Sequence, residues 1–269
     1  MDDIKINSIE DVERIHQNNT SIPYSCPHYR GEANCNYDLK SGIAREQCTL
    51  DELRQKEQGL YNDFVNFANK GSIPIQNFGS NNGNLQKWQT LFQAQHLGLK
   101  TRLLDWTIER KVALWFAVEN EKHYDKDGRF IVYKGYYGDD NFIYDIRNNP
   151  FILNNSPFEI TNGKLFMINP EFCWNNDDDN FERYLSERRR YHQSGRFSIQ
   201  SLEQSLTPLN KQEYLIPNME VYIIDKNAKR QILSELSSKY NLQRDYIYNK
   251  DMAAELESVI KSINEKYGL

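Results

Sequence analysis

The stretch "QAQHLGLKTRLLDWT", Gln93 to Thr107, carries two cations, one anion, an indole and two hydroxyls within fifteen residues. An ordinary core segment does not need that mixture. Its first residues continue an amphipathic helix that places Leu85, Trp88, Leu91 and Phe92 inward, and Gly98 supplies the stop. "KTRLLDWT" is too short for another helix before "IERKVALWFAVENE" begins, so it reads as a strand or extended turn. If it is extended, side chains alternate, with Thr101, Leu103, Asp105 and Thr107 on one face and Arg102, Leu104 and Trp106 on the other. Asp105 then has two open readings. It caps the next helix or holds Arg102 or Arg30 in place, or it serves a polar site; Thr107 is the other candidate cap. Gln95 and His96 point ~100° apart on their helix, so at least one of them sits near the interior.

Working outward, Ser8 opens a short helix through about Gln17. "IPYSCPHYRGE" is an edge or late-starting strand, because prolines 23 and 27 cannot donate to a ladder. Thr49 and Glu52 form a capping box for a helix that ends near Gly71. Asn84 is the expected cap of the helix that leads into the opening stretch. Strands are expected at "RFIVYKG", "NFIYDI", "KLFMINP", "RFSIQ" and "MEVYIID", and helices at "FERYLSERRRYHQ", "NAKRQILSELSSKY" and "DMAAELESVIKSI". Helices come early and late with strands mostly between them. The fold class is therefore α+β, a single domain over 1–269 with its core at about 8–262 and a mixed or antiparallel central sheet.

The chain has 269 residues, 39% apolar and 26% charged, with a formal net charge of −5. That balance suits a soluble globular protein and disfavours non-specific nucleic-acid binding, which needs a basic excess. No apolar run is long enough for a membrane span, and the start lacks a secretion signal, so the cytoplasm is expected. Cys26, Cys35, Cys48 and Cys173 form no C-x-x-C pair. Cys26, His28 and Cys35 lack a motif-spaced fourth ligand, so free thiols are the simpler reading and no metal is expected. Composition says nothing of oligomeric state. Signatures of P-loops, dinucleotide folds and nucleophile elbows are absent.

Two further places carry candidate chemistry. Arg30, followed by Gly31, presents a planar fork beside a backbone of little bulk, suited to a carboxylate or phosphate; a surface salt bridge and a turn glycine are the plainer alternative. In "YHQSGRFSIQ", Gln193 offers a donor and an acceptor where a helix meets a strand, or Gly195 is an ordinary helix stop before an edge strand.

Taken together, "YRG" at Tyr29–Gly31, "AQHLGLKTRLLDWT" followed by "ALWFA", "QSGRF" and the tail "ILSELSSKYNLQRDYIYNKDMAAEL" resemble the FRG-domain family, whose members occur in bacterial and phage proteins. The arrangement is similar to that of ADP-ribosyltransferases, which implies an NAD-consuming enzyme, a toxin or phage-defence effector, acting on a protein or nucleic-acid acceptor that the sequence does not specify. Under that resemblance Arg30 and Gly31 grip the phosphates of NAD. Gln95, Thr101, Arg102 and Thr107 support the nicotinamide-ribose pocket and Trp106 stacks on a ring. His96, Asp105 and Gln193 surround the reacting ribose. The family pattern also implies a catalytic Glu at the third element, where this chain has Gly195. Either Asp105 or Glu187 substitutes for it, or the domain is a module that binds a nucleotide without turnover.

Overall fold

The computed structural model describes residues 5–72, 82–160, 163–170, 192–248 and 254–269. Strands β1 (Lys5–Ile6), β2 (His28–Glu32), β3 (Leu104–Thr107), β4 (Gly128–Tyr133), β5 (Phe142–Ile143), β6 (Phe166–Ile168), β7 (Gly195–Ile199) and β8 (Met219–Ile224) form one sheet in the order β1-β8-β4-β2-β3-β7-β6-β5. From β8 to β6 every pairing is antiparallel; the outermost pairs, β1 with β8 and β5 with β6, are parallel. The α-helices among the described residues are α1 (Ile9–Thr20), α2 (Leu50–Phe67), α3 (Gly83–His96), α4 (Arg110–Val118), α5 (Pro150–Asn154), α6 (Leu202–Ser205), α7 (Lys229–Tyr240), α8 (Arg244–Tyr248) and α9 (Ala254–Lys266). The protein is α+β with a mixed sheet and with helices early and late in the chain.

Local chemistry sets most of the helix boundaries. Ser8 with Asp11, and Thr49 with Glu52, form complete capping boxes that satisfy the first free N–H groups of α1 and α2. The cap of α3 is Asn82, not the expected Asn84: the Asn82 side chain accepts from the Asn84 and Leu85 N–H groups. Gly98, at φ +97°, takes the left-handed conformation that ends this segment. Asp105 does not cap α4. Glu109 does, while the Thr107 hydroxyl accepts from the Glu109 N–H.

Two strands for which the sequence allowed an edge position are internal, and the first of them takes the late start that its prolines also allowed. β2 starts directly after Pro27 and lies inside the sheet, between β4 and β3, with the prolines outside the ladder. β7 is also internal, between β3 and β6. Gly195 opens β7, and the left-handed residue before it is Ser194, at φ +46°. "NFIYDI" contributes only the two residues of β5. The expected helix at 181–193 lies almost wholly outside the described residues, as do Glu187, the Asp177–Asp179 run and Cys173.

Helices cover the sheet unevenly. On one face α1, α4 and α7 bury Tyr29, Phe130, Val132 and Ile224 of β2, β4 and β8. On the same side α3 packs Trp88, Leu91 and Phe92 over Phe166, Phe197 and Ile199 of β6 and β7. The opposite face holds Leu104, Trp106, Ile131, Tyr133 and Met167, under Leu209 and Leu215. Between α4 and α3 the first face is left open over β3.

Candidate functional site

A carboxylate on an internal strand is normally buried and paired, yet Asp105 in β3 is exposed. The register explains it. Asp105 pairs with Phe197, and Thr107 pairs with both Gly195 and Tyr29, and residues paired across a ladder share a face. Asp105 and Thr107 therefore point to the side roofed by α4 and α3, into the gap between those helices. The result is a cleft of about 210 Å³ whose walls include Arg30, Gln95, His96, Asp105, Gln193 and Tyr248.

Gly31 sets one wall. A Cβ there would stand 1.7 Å from the Ala113 carbonyl oxygen of α4, so only glycine lets that helix lie this close to β2. Its bare backbone serves the helix contact, rather than the approach to a phosphate that the sequence suggested.

Asp105 is positioned by a short chain of hydrogen bonds. The Thr101 hydroxyl donates to Gln95 Oε1 at 2.6 Å, and Gln95 Nε2 donates to Asp105 Oδ2 at 2.9 Å. Thr101 is buried and also accepts from the Leu103 N–H, so the base of the chain is fixed. Arg30 closes the same end of the cleft. Its Nη1 donates to the Asp105 carbonyl oxygen at 2.6 Å and its Nε to Glu32 at 3.0 Å. Glu32 is shared with Arg129, which donates to it from Nε at 2.6 Å.

The other end is built from the tail. The Thr107 hydroxyl donates to the Gln193 carbonyl at 2.6 Å, and Gln193 Nε2 donates to the Ile247 carbonyl at 3.1 Å. This ties α8 to β3 and brings Tyr248 against Trp115 and Phe116 of α4 at centroid distances of 5.6 and 6.1 Å. His96, at the end of α3, is buried with its ring 5.0 Å from Phe197. Behind the cleft the Tyr29 hydroxyl shares a 2.6 Å hydrogen bond with His16 Nδ1, and burial raises the Tyr29 phenol pKa, keeping it protonated.

The structure thus brings Arg30, Gly31, Gln95, His96, Asp105, Thr107 and Gln193 together at one cleft, with Thr101 directly behind Gln95. It takes two candidates elsewhere. Arg102 is buried away from the cleft and pairs with Glu57 at 2.9 Å while donating to the Gln200 and Pro157 carbonyls. The Trp106 residue borders the cleft, but its indole packs in the opposite core and donates to Ser198 Oγ at 2.8 Å. It is therefore spent on packing rather than stacking on a ligand ring. Phe116 and Tyr248 were not anticipated as wall residues. "ALWFA" and the tail were visible as motifs, but nothing in their spacing shows that α8 folds back onto α4.

Cys26, Cys35 and Cys48 are free thiols, and among the described residues no three His, Cys, Asp or Glu side chains are grouped to hold a metal ion. No described helix is long and apolar enough to cross a membrane.

An exposed carboxylate, a carbonyl-anchored arginine and an aromatic wall thus meet at one cleft over the sheet. Residues 27–126, under half of the chain, match the family model of the FRG domain. That segment contains Arg30, Gln95, His96, Asp105 and α4, while Gln193 and Tyr248 lie beyond it. No curated protein and no solved structure matches the chain.

Proposed function

We propose that the cleft binds NAD by its nicotinamide-ribose end and that the domain is an ADP-ribosyltransferase-like enzyme in which Asp105 supplies the catalytic carboxylate. The observation that carries this reading is the place of Asp105 relative to Gly195. Thr107 pairs with Gly195 and Asp105 with Phe197, so Asp105 is the diagonal, same-face neighbour of position 195, at roughly 7–8 Å between backbones. A carboxylate at 105 reaches the space that a glutamate at 195 would serve. The fit to the ligand is consistent: drug-sized pockets run from about 300 Å³ upward, so a cleft of about 210 Å³ suits a nucleoside-sized portion of a dinucleotide.

In this reading Asp105 stabilises the positive charge that spreads over the ribose as its C1′–N bond breaks, with the bonding electron pair leaving on nicotinamide. Gln95 holds the carboxylate in place. Tyr248 and Phe116 exclude water from one side, and the acceptor's nucleophile closes the new bond at C1′ and gives up its proton. His96, in the wall, is the candidate to receive that proton. The role of a toxin or phage-defence effector belongs to the same proposal and rests on the family resemblance alone.

The glycine at 195 supports a second reading, a module that binds the nucleotide and never turns it over. Nicotinamide release from NAD, with and without a cell extract as acceptor source, separates the two. The enzyme reading expects release that falls about 10²–10³-fold in Asp105→Asn, with the melting temperature nearly unchanged because residue 105 is exposed. Heat protection by NAD without any release supports the module. Neither release nor protection overturns both.

A further inference from the structure

Arg30 is the residue expected to grip phosphate, yet its guanidinium is already engaged by Glu32 and the Asp105 carbonyl. Two other cations stand near Arg30, just outside the residues that line the cleft. β2 and β3 run antiparallel from the Tyr29–Thr107 pair, so Arg30 to Glu32 run back toward the start of β3, where residues 100 and 101 arrive from α3. The 3-10 turn Gly42–Ala44 is stitched to this point by the Ile43 N–H donating to the Thr101 carbonyl at 3.2 Å. Arg45 follows that turn directly.

Lys100 is fixed at its backbone, where its N–H donates to Asn264 Oδ1 at 2.9 Å. Its stem crosses Gly42 so closely that a Cβ there would lie 3.0 Å from the Lys100 Cδ. The Lys100 stem is half-buried, and burial, then the charge of Arg45, lower its ammonium pKa against an opposing pull from Asp105. Arg45 in turn lies within electrostatic reach of Arg30, Glu32 and Asp105. Among the described residues neither Lys100 nor Arg45 has an ion pair or a side-chain hydrogen bond. Arg30 and Arg129 are ion-paired with Glu32, and Arg45 and Lys100 stand within the field of Asp105, so four cations share these two carboxylates in a chain with net charge −5.

We infer that Lys100 and Arg45 form an anion subsite that takes the diphosphate of a nucleotide whose ribose lies at Asp105. The inference rests on the reading of the cleft as a nucleotide site and divides its labour: Arg30 braces the β3 backbone, and the two cations beside it hold the ligand's charge. A half-buried lysine beside an exposed arginine, both without an ion pair among the described residues, suits this task, since a diphosphate relieves their mutual repulsion as it binds.

The test is calorimetric titration of the wild type and of Arg45→Ala/Lys100→Ala with three probes: ADP-ribose, inorganic pyrophosphate and nicotinamide riboside, which has no diphosphate. The expected result is loss of roughly tenfold or more in affinity for ADP-ribose and pyrophosphate, as for lost charge-assisted hydrogen bonds. Binding of nicotinamide riboside should stay unchanged, and Arg45→Lys/Lys100→Arg should restore most of the loss. Undiminished affinity of the alanine variant for ADP-ribose and pyrophosphate overturns the subsite. So does unchanged KM for NAD in a variant that still consumes it, although the enzyme reading then survives. Pyrophosphate binding that depends on both cations, without binding of ADP-ribose or NAD, keeps the subsite and removes the ADP-ribosyl reading. If the double variant does not fold, the single Arg45→Gln and Lys100→Gln variants are read by the same criteria.

Discussion

Gln95 presents its amide nitrogen to Asp105 because Thr101 occupies its carbonyl oxygen. The 2.6 Å hydroxyl bond on one side decides which end of the amide meets the carboxylate, 2.9 Å away on the other. Thr101→Val removes that decision. It lets the Gln95 oxygen turn toward the carboxylate, and it leaves the Leu103 N–H without its acceptor. The expected outcome is a loss of about 1–3 kcal/mol in stability by denaturant titration, together with weaker ligand binding. Thr101→Ser should restore both, because it keeps the hydroxyl. Full binding in the valine variant would show that the amide's direction does not matter.

Arg102 looked like a ligand-binding cation in the sequence and is instead the centre of a buried brace with Glu57. Removing one member of such a pair leaves an uncompensated charge in the interior. Glu57→Ala should therefore cost about 3–5 kcal/mol, with any surviving folded protein binding ligand at normal affinity. Chemical denaturation beside calorimetry separates the two effects.

Gly31→Ala tests the close approach of α4. The new methyl would meet the Ala113 carbonyl, a backbone atom that cannot swing aside. Overpacking usually costs about 1–3 kcal/mol, and this contact should exceed that range or shift α4 enough to distort the cleft. A melting temperature equal to the wild type's would contradict the helix position.

His28 should shape the acid limb of stability. Burial, and then the charge of Arg196, lower its pKa from 6.5 to about 3, so the folded state keeps it neutral. The unfolded chain takes up a proton near 6.5. The folded state's advantage is thus complete above that pH and falls as the pH drops from about 6.5 toward 3, by on the order of 5 kcal/mol in total. Stability measured against pH should show this slope, and His28→Leu should flatten it.

How much could be read beforehand follows from how local each cause is. The capping boxes at Ser8 and Thr49 and the stop at Gly98 are set by neighbours a few residues away, so sequence finds them or comes within two residues, as at Asn82. The α+β order and the gathering of Arg30, Gln95, His96, Asp105 and Gln193 came from the linear motifs. The roles of Arg102 and Trp106 were not legible. Alternation along "TRLLDWT" cannot say which face has a roof, and the strand begins only at Leu104. Which face is open depends on where α3 and α4 land. The place of Tyr248 depends on Gln193 catching the Ile247 carbonyl across the fold.

The pairing of β1 with β8 has a consequence for how this chain is made. Ile6 meets Ile224, and β8 is also the strand that joins β1 to β4. A chain emerging from the ribosome must therefore hold its first strand unpaired until most of the polypeptide has been synthesised. Closing so distant a contact is intrinsically slow. The family-matched segment, 27–126, stops two residues before β4 begins, so a fragment cut there would carry Arg30 and Asp105 on two strands that lack their neighbours on either side.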